Sequence, residues 1–285
     1  MKSMSDLNIT IVGIGLIGGS YAKAIRKYIN TNKLWAIDIN TDALNEAESA
    51  GIIDNGYTKP QFPLENSDLV ILCTYPNIAM DFLRTNMGYF KKNALITDTM
   101  GMKSKIISEI LNIMRDDLEF IGGHPMSGKE SAGYNYSDAD IFKDAQYILT
   151  PEKNTSDDSL KLLKQIIKSI GFNEIVEMSP QIHDEKIAFT SQLPHIIACA
   201  LMNSSKLDNS FQCIGGSFKD ATRVADINSQ LWSELIFENK DNILNEINNF
   251  ISDISDIYDI IKSNDRSSLE FYLNRSSSRR KEMNI

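Results

Sequence analysis

The sequence predicts an α/β protein: a doubly wound, mostly parallel sheet followed by an all-α domain. Three observations predict it. Up to about residue 178, short apolar runs rich in β-branched residues alternate with stretches of helical period. A glycine-rich turn joins the first such run to the first helical stretch. Beyond residue 178 the strand signal stops, and apolar residues recur at helical steps. A chain of 285 residues has room for about two domains, and the change of texture divides it into residues 1–178 and 179–285.

Residues 8–12 (NITIV) predict a buried strand that ends in glycines. Ile17, Tyr21, Ala24, Ile25 and Tyr28 then follow helical spacing. Residues 34–38 (LWAID) predict a second strand, and residues 41–51 a helix with Gly51 just past its end. Residues 69–73 (LVILC) and 94–97 (ALIT) predict two further strands, separated by a helical stretch. A helix is expected over 103–115, and a strand over 119–122 that leads into His124. Strands over 146–150 and 174–177 flank a helix near 156–170. Ser179-Pro180 has the chemistry of a helix start, an N-cap serine followed by proline in the first turn. Residues 232–261 carry apolar side chains at 236, 243, 247, 250, 254, 257 and 261, which predicts one long amphipathic helix. Its apolar stripe packs either within its own domain or against a partner subunit. Residues 275–281 (RSSSRRK) are expected to fray.

Composition narrows the function. Apolar residues make up 42% and charged residues 24%, as in ordinary globular proteins. The formal net charge of -9 argues against nucleic acid, which needs a basic face. An acidic protein that binds an anionic ligand needs a local Arg or Lys. Cys73, Cys199 and Cys213 are few and widely spaced, as expected of reduced thiols. The first eight residues hold no apolar signal core, and the apolar stretch 187–202 is broken by Gln192, Pro194 and His195. A cytoplasmic protein without a membrane span is therefore expected.

Gly13-Ile14-Gly15-Leu16-Ile17-Gly18 matches G-x-G-x-x-G between a strand and a helix, the context of a Rossmann-type dinucleotide turn. The first glycine allows the tight turn, the second lets backbone approach a pyrophosphate, and the third lets helix and strand pack closely. Asp38, 20 residues after Gly18, ends the second strand. A carboxylate there accepts hydrogen bonds from ribose hydroxyls and repels a 2′-phosphate, so NAD is expected over NADP. Thr74, just after the third strand candidate, is expected at the same cofactor.

Of three histidines, His124 stands out in Gly122-Gly123-His124-Pro125-Met126-Ser127-Gly128, at the carboxyl edge of the sheet where such folds bind ligands. Hydride transfer from an alcohol needs a base for the hydroxyl proton, and neutral imidazole suits that task near pH 7. His183 and His195, 12 residues apart, have no metal-ligand spacing, so no metal is expected.

The segment 124–133 (HPMSGKESAG) closely resembles the HPM-(A/S)-G-x-E-x-(S/A)-G motif of prephenate dehydrogenases. His183-Asp184 followed by Ser191-Gln192-Leu193-Pro194-His195, and residues 215–223 (GGSFKDATR), resemble the family in the same order. The resemblance runs from about residue 8 to at least 261. It implies NAD-dependent oxidative decarboxylation of prephenate to 4-hydroxyphenylpyruvate, in tyrosine biosynthesis. It makes His124 the group that takes the ring-hydroxyl proton and Arg223 the ligand of a substrate carboxylate. It places His195, Gln192, Ser127 and Trp232 at the substrate, with Trp232 on its own or a neighbour's pocket. Glu130 and Asp220 would form ion pairs that shape the entrance, while His183 and Lys103 would be structural or gating. A homodimer joined through the helical halves is expected.

Two positions depart from the family pattern. Residues 98–103 (DTMGMK) stand where the family has D-V-G-S-V-K, so Gly101 replaces the serine expected beside the histidine; a water, Thr99 or Ser127 would have to take over. Gln192 replaces a frequent histidine. Neither an N-terminal chorismate mutase domain nor a C-terminal ACT-type domain is expected, so feedback by tyrosine would have to act within these two domains. The rival readings are arogenate dehydrogenase, a β-hydroxyacid dehydrogenase or imine reductase with a catalytic lysine in the first helix of the helical half, and a non-catalytic NAD sensor.

Overall fold

A computed structural model describes residues 3–129, 131–207 and 211–283. One sheet holds β1 (Asn8–Val12), β2 (Lys33–Ile37), β3 (Asn55–Tyr57), β4 (Leu69–Leu72), β5 (Leu95–Asp98), β6 (Glu119–Pro125), β7 (Gln146–Thr150) and β8 (Glu174–Glu177). Their order is β3-β2-β1-β4-β5-β6-β7-β8. Strands β1 to β6 run parallel, β7 is antiparallel to β6, and β8 is parallel to β7. The helices between them are α1 (Leu16–Tyr28), α2 (Thr41–Ser49), α3 (Gln61–Asn66), α4 (Pro76–Asn86), α5 (Ser104–Ile113) and α6 (Asp157–Ser169).

Both faces of the sheet are covered. Ile9, Ile11, Leu69 and Ile71 pack with Ala22 and Ile25 of α1 and Ile166 of α6. The alternate residues Val12, Val70, Leu72 and Ile96 pack with Leu83 of α4 and Ile107 and Ile110 of α5. Burial on both faces is why the central strands read as continuous apolar runs. The sequence reading passes over β3 and α3. The strand is only Asn-Gly-Tyr, a weak β signal, yet a Cβ on Gly56 would lie 2.7 Å from Leu44 Cβ. A glycine that α2 requires for close packing hides the strand it belongs to.

His124 lies inside β6, not after it. This strand changes partner midway, pairing with β5 through Ile121 and with β7 from Gly122 onward. The two glycines permit the change. A Cβ on Gly122 would fall 2.2 Å from Thr150 Oγ1, and one on Gly123 would fall 2.3 Å from Tyr147 Oη and 2.7 Å from the Asp98 carbonyl oxygen. Gly123→Ala is therefore expected to destabilise the fold by about 1–3 kcal/mol through overpacking. Urea unfolding reads this directly, and an unchanged midpoint would mean that Tyr147 swings aside at no cost.

The helical half contains α7 (Pro180–Ile187), a π turn (Ala188–Gln192), α8 (Leu193–Met202), α9 (Gly216–Thr222), α10 (Ser229–Glu238), α11 (Lys240–Lys262) and α12 (Arg266–Glu282). Its first helix starts as expected, with Ser179 Oγ accepting from the Ile182 amide at 3.3 Å. The single helix expected over 232–261 is two helices, broken at Asn239. The Asn239 side chain is buried and donates to the Asp184 carbonyl and to Gln192 Oε1, at 2.9 and 2.7 Å. Those bonds hold it outside helical geometry. The tail expected to fray is instead the end of α12, which Asp265 caps by accepting from the Ser268 amide at 3.1 Å. Arg279, Arg280 and Lys281 in its last turn suit the negative end of the helix dipole.

Within the chain α11 buries only Ile243, while Leu244, Ile251, Ile254, Tyr258 and Ile261 stay exposed. The two halves meet through a small apolar cluster of Met102, Ile148 and Ile187, against which Met178 and Leu235 pack. Among the described residues, no helix is long and apolar enough to cross a membrane.

Candidate active site

The turn after β1 is built for an anion. Gly13 has φ +88°, and a Cβ there would meet Thr74 Cγ2 at 2.7 Å. A Cβ on Gly18 would fall 1.9 Å from the Gly13 carbonyl oxygen, so the third glycine is a packing requirement. In front of Gly15 there is nothing within 4 Å. Gly15 is also the N-cap of α1, with no side-chain cap and no acid in the first turn. The first amides of α1 and the positive end of its dipole are thus left to an incoming anion.

Asp38 sits beside this turn. Its Oδ2 accepts from the Ile14 amide at 2.6 Å and its Oδ1 from the Asn40 amide at 2.8 Å. The side chain of Ile14 is buried, Ile17 packs against the core, and Leu16 is half-buried. Thr74 Oγ1 is buried without a hydrogen-bond partner among the described residues. An open glycine cradle, an uncapped helix end and an orphaned hydroxyl together fit a dinucleotide.

Further along the same edge lies a chain of titratable groups. Asp184 Oδ1 accepts from His183 Nδ1 at 2.7 Å, and His183 Nε2 lies 2.8 Å from His124 Nδ1. The hydrogen positions follow from chemistry. A carboxylate only accepts, so His183 carries its proton on Nδ1 and accepts at Nε2. His124 then donates from Nδ1 and keeps a lone pair on Nε2. Asp184 also accepts from the Lys103 and Ser104 amides, at 3.0 and 2.8 Å. It therefore caps α5, a helix of the other half, and not its own. Burial opposes its charge, but the hydrogen bonds from His183 and Ser104 hold its carboxyl below the usual carboxylate range.

Burial, then the His183 ring and then the Lys103 charge push the His124 pKa well below the ordinary histidine value. Burial likewise lowers that of His183, against the opposing pull of Asp184. Both rings are neutral near pH 7. His124 Nε2 faces Gly101, where a Cβ would be in ordinary van der Waals contact, 3.9 Å from His124 Nε2 and 3.5 Å from Leu235 Cδ2. Among the described residues, neither Thr99 nor Ser127 takes the place of the expected serine. Thr99 donates to the Leu72 carbonyl at 3.3 Å, and Ser127 to the Ile141 carbonyl at 2.6 Å. The imidazole is oriented from behind, by His183.

Beneath His124, Lys103 and Asp98 form a buried ion pair at 2.5 Å. Asp98 also accepts from the Met100 and Gly123 amides, both at 2.9 Å, and Lys103 donates to the Met100 carbonyl at 2.7 Å. Lys103 is thus tied on both sides within the floor of the site. Burial lowers its pKa while Asp98 opposes the shift.

In the helical half, the π turn accommodates Pro194, which has no amide hydrogen to donate. His195 Nδ1 donates to the Ser191 carbonyl at 2.8 Å, and the ring stacks on Trp232 of the same chain with centroids 3.9 Å apart. Arg223 is exposed in a short turn that packs against α8, the helix carrying His195. Gln192, expected at the substrate, bonds within the protein. It is buried, and its amide donates to the Leu235 carbonyl at 3.1 Å and to Met102 Sδ at 3.4 Å. Asp220 is exposed on α9 and forms no ion pair among the described residues; Glu130 lies outside those residues.

The roles of Asp98 and Asn239 and the partners of Asp184 carry little local sequence signal. Adjacency of His183 and Asp184 was the one available signal. Asp98 ends a strand and Asn239 interrupts an apolar pattern, and neither position advertises what it bonds across the fold.

A Rossmann sheet with a dinucleotide turn and a neutral imidazole on one carboxyl edge defines a nicotinamide-dependent oxidoreductase. The family described as "Prephenate dehydrogenase, nucleotide-binding domain" matches residues 21–176, and "Prephenate dehydrogenase, dimerization domain" matches 179–275. The chain belongs to the prephenate dehydrogenase family. The first match begins after the glycine turn, so that turn stands on its own geometry. Prephenate dehydrogenase of Bacillus subtilis is 30% identical over 279 residues, 95% of this chain and 74% of the relative. Cyclohexadienyl dehydrogenase of Zymomonas mobilis is 31% identical over 265 residues, 90% of this chain and 89% of the relative. The crystal structure of Aquifex aeolicus prephenate dehydrogenase, in complex with hydroxyphenyl propionate and NAD+, superposes with a TM-score of 0.90 at 32% identity, covering 99% of this chain and 100% of that one.

Proposed function

We propose that the chain oxidises prephenate with NAD to 4-hydroxyphenylpyruvate and CO2, a step of tyrosine synthesis. One observation carries the reading: the Asp184–His183–His124 chain leaves a lone pair on His124 Nε2, on the side that faces Gly101. Gly13, Gly15, Gly18, Asp38 and Thr74 would hold NAD, which would supply the hydride acceptor. His124 Nε2 takes the proton of the ring hydroxyl as hydride leaves the same carbon. Loss of CO2 leaves its electron pair in the ring, and the phenolate oxygen recovers the proton from His124. Aromatisation drives the sequence, so the protein mainly positions and polarises.

Residues 1–178 form the NAD half, and residues 179–285 the substrate and dimerisation half. Arg223 grips a substrate carboxylate through its planar fork. His195, stacked on Trp232, lines the pocket, and Ser127 also reaches the substrate. Two copies join through the exposed stripe of α11, as a cytoplasmic homodimer.

NADH formation is measured with prephenate, with arogenate and with neither, each with NAD and with NADP. Absorbance should grow with prephenate and NAD; none with prephenate would overturn the reading. Arg223→Ala is expected to raise KM for prephenate by about 10–100-fold, the worth of a charge-assisted bond, with little change for NAD. Equal effects on both would remove Arg223 from the carboxylate. Asp38→Ser should weaken NAD by roughly tenfold and relax the discrimination against NADP. An unchanged preference would show that another group selects the cofactor.

A further inference from the structure

Helix α4 has no cap of its own. Its N-cap is Tyr75, whose side chain makes no capping hydrogen bond, and Pro76 follows in the first turn. The cap comes from the other half of the molecule: Glu234 of α10 accepts from the Asn77 amide at 2.9 Å through Oε1. Two more contacts join the same surfaces. Asn228 Nδ2 donates to Tyr75 Oη at 3.2 Å, and Lys105 of α5 pairs with Glu238 at 2.7 Å. Glu234 and Glu238, four residues apart, share one face of α10, which is the face turned to the nucleotide half.

Both ends of this strut carry ligand-binding groups. The turn that Glu234 caps contains Thr74, whose buried hydroxyl is orphaned beside the glycine cradle. Helix α10 itself carries Trp232, stacked on His195, and Leu235, which a Cβ on Gly101 would meet first. Buried Gln192 holds the Leu235 carbonyl from below. Glu234 therefore links the cap position of α4 directly to the helix that walls the substrate site.

We propose that Glu234 is a positioning residue that couples cofactor binding to substrate binding. A dinucleotide that engages Thr74 orders the turn after β4. Glu234 passes that order to α10, so the second ligand meets a pocket already fixed. The coupling is reciprocal, as any linkage between two binding equilibria must be. This rests on the function proposed above, but its test needs no turnover.

NAD+ is titrated into the full-length chain by tryptophan fluorescence, with and without saturating 4-hydroxyphenylpyruvate. The ratio of the two dissociation constants is the coupling. The wild-type ratio should be about fivefold or more in favour of joint binding. In Glu234→Ala it should fall to near one. Glu234→Gln, which keeps an acceptor oxygen without the charge, should fall between. Thermal melting checks that the variants are folded. If Glu234→Ala does not fold, Glu234→Gln alone decides. A wild-type ratio of one, or variant ratios equal to wild type, overturns the proposal. The NADH assay judges the reaction separately, so the two failures are distinguishable.

Discussion

His124→Asn is expected to lower kcat by about 10²–10⁴-fold while leaving the dissociation constant for NAD nearly unchanged. Asparagine keeps a donor near the position of Nδ1, so the bond to His183 can survive and the strand keeps its shape. What disappears is the basic lone pair that takes the hydroxyl proton. His124 sits two strands away from β4 and three from β1 in the sheet order, so the glycine cradle does not depend on it. The same variant reads out the pH dependence. Burial, His183 and Lys103 hold the His124 pKa well below the ordinary histidine value, so its neutral, reactive form persists on acidification. The acid limb of kcat/KM that belongs to His124 therefore lies below about pH 6.5, and activity falls only as pH drops through it. His124→Asn should remove that limb. Near-normal turnover, or an acid limb centred above the ordinary value, would contradict the assignment.

The second large effect is on stability. Lys103→Met is expected to cost about 3–5 kcal/mol, because it strands a buried carboxylate. Asp98 and Lys103 are both fully buried, and the pair ties the loop after β5 to the floor under His124. The two remaining amide donors, on Met100 and Gly123, solvate Asp98 only in part. Adding Asp98→Asn to Lys103→Met should recover part of the loss, since the double variant removes both charges. Urea unfolding measures all three proteins. A shift within about 0.5 kcal/mol for the single variant, the range of an ordinary surface change, would mean that water reaches the pair.

Much of this was legible in the residues. The apolar runs of β1, β4 and β5 are buried on both faces and announce themselves as strands. The glycines at 13, 15 and 18 and the carboxylate at 38 bring their spacing with them, because a tight turn and a close helix need those residues at those steps. Local signals failed where distant contacts decide. Asn239 breaks a helix that the apolar period would continue, because it bonds to Asp184 and Gln192 far away in sequence. Gln192 looks like a ligand in its motif, yet the same knot has claimed its amide. The Ser-rich basic tail looks frayed, but Asp265 starts it as a helix and its cations favour the end. The orientation of His124 was the hardest to foresee. Sequence suggests a water, Thr99 or Ser127 beside it, whereas the fold brings a second imidazole and a carboxylate that serves as the cap of α5.

A crystal structure of the chain with NAD+ and 4-hydroxyphenylpyruvate tests the arrangement most directly. The phenol oxygen should lie about 2.6–3.2 Å from His124 Nε2, the reach of a proton-transferring hydrogen bond, with the pyruvyl carboxylate on Arg223. A ring bound with its oxygen turned away from His124, or a nicotinamide bound away from Gly101, would contradict the account.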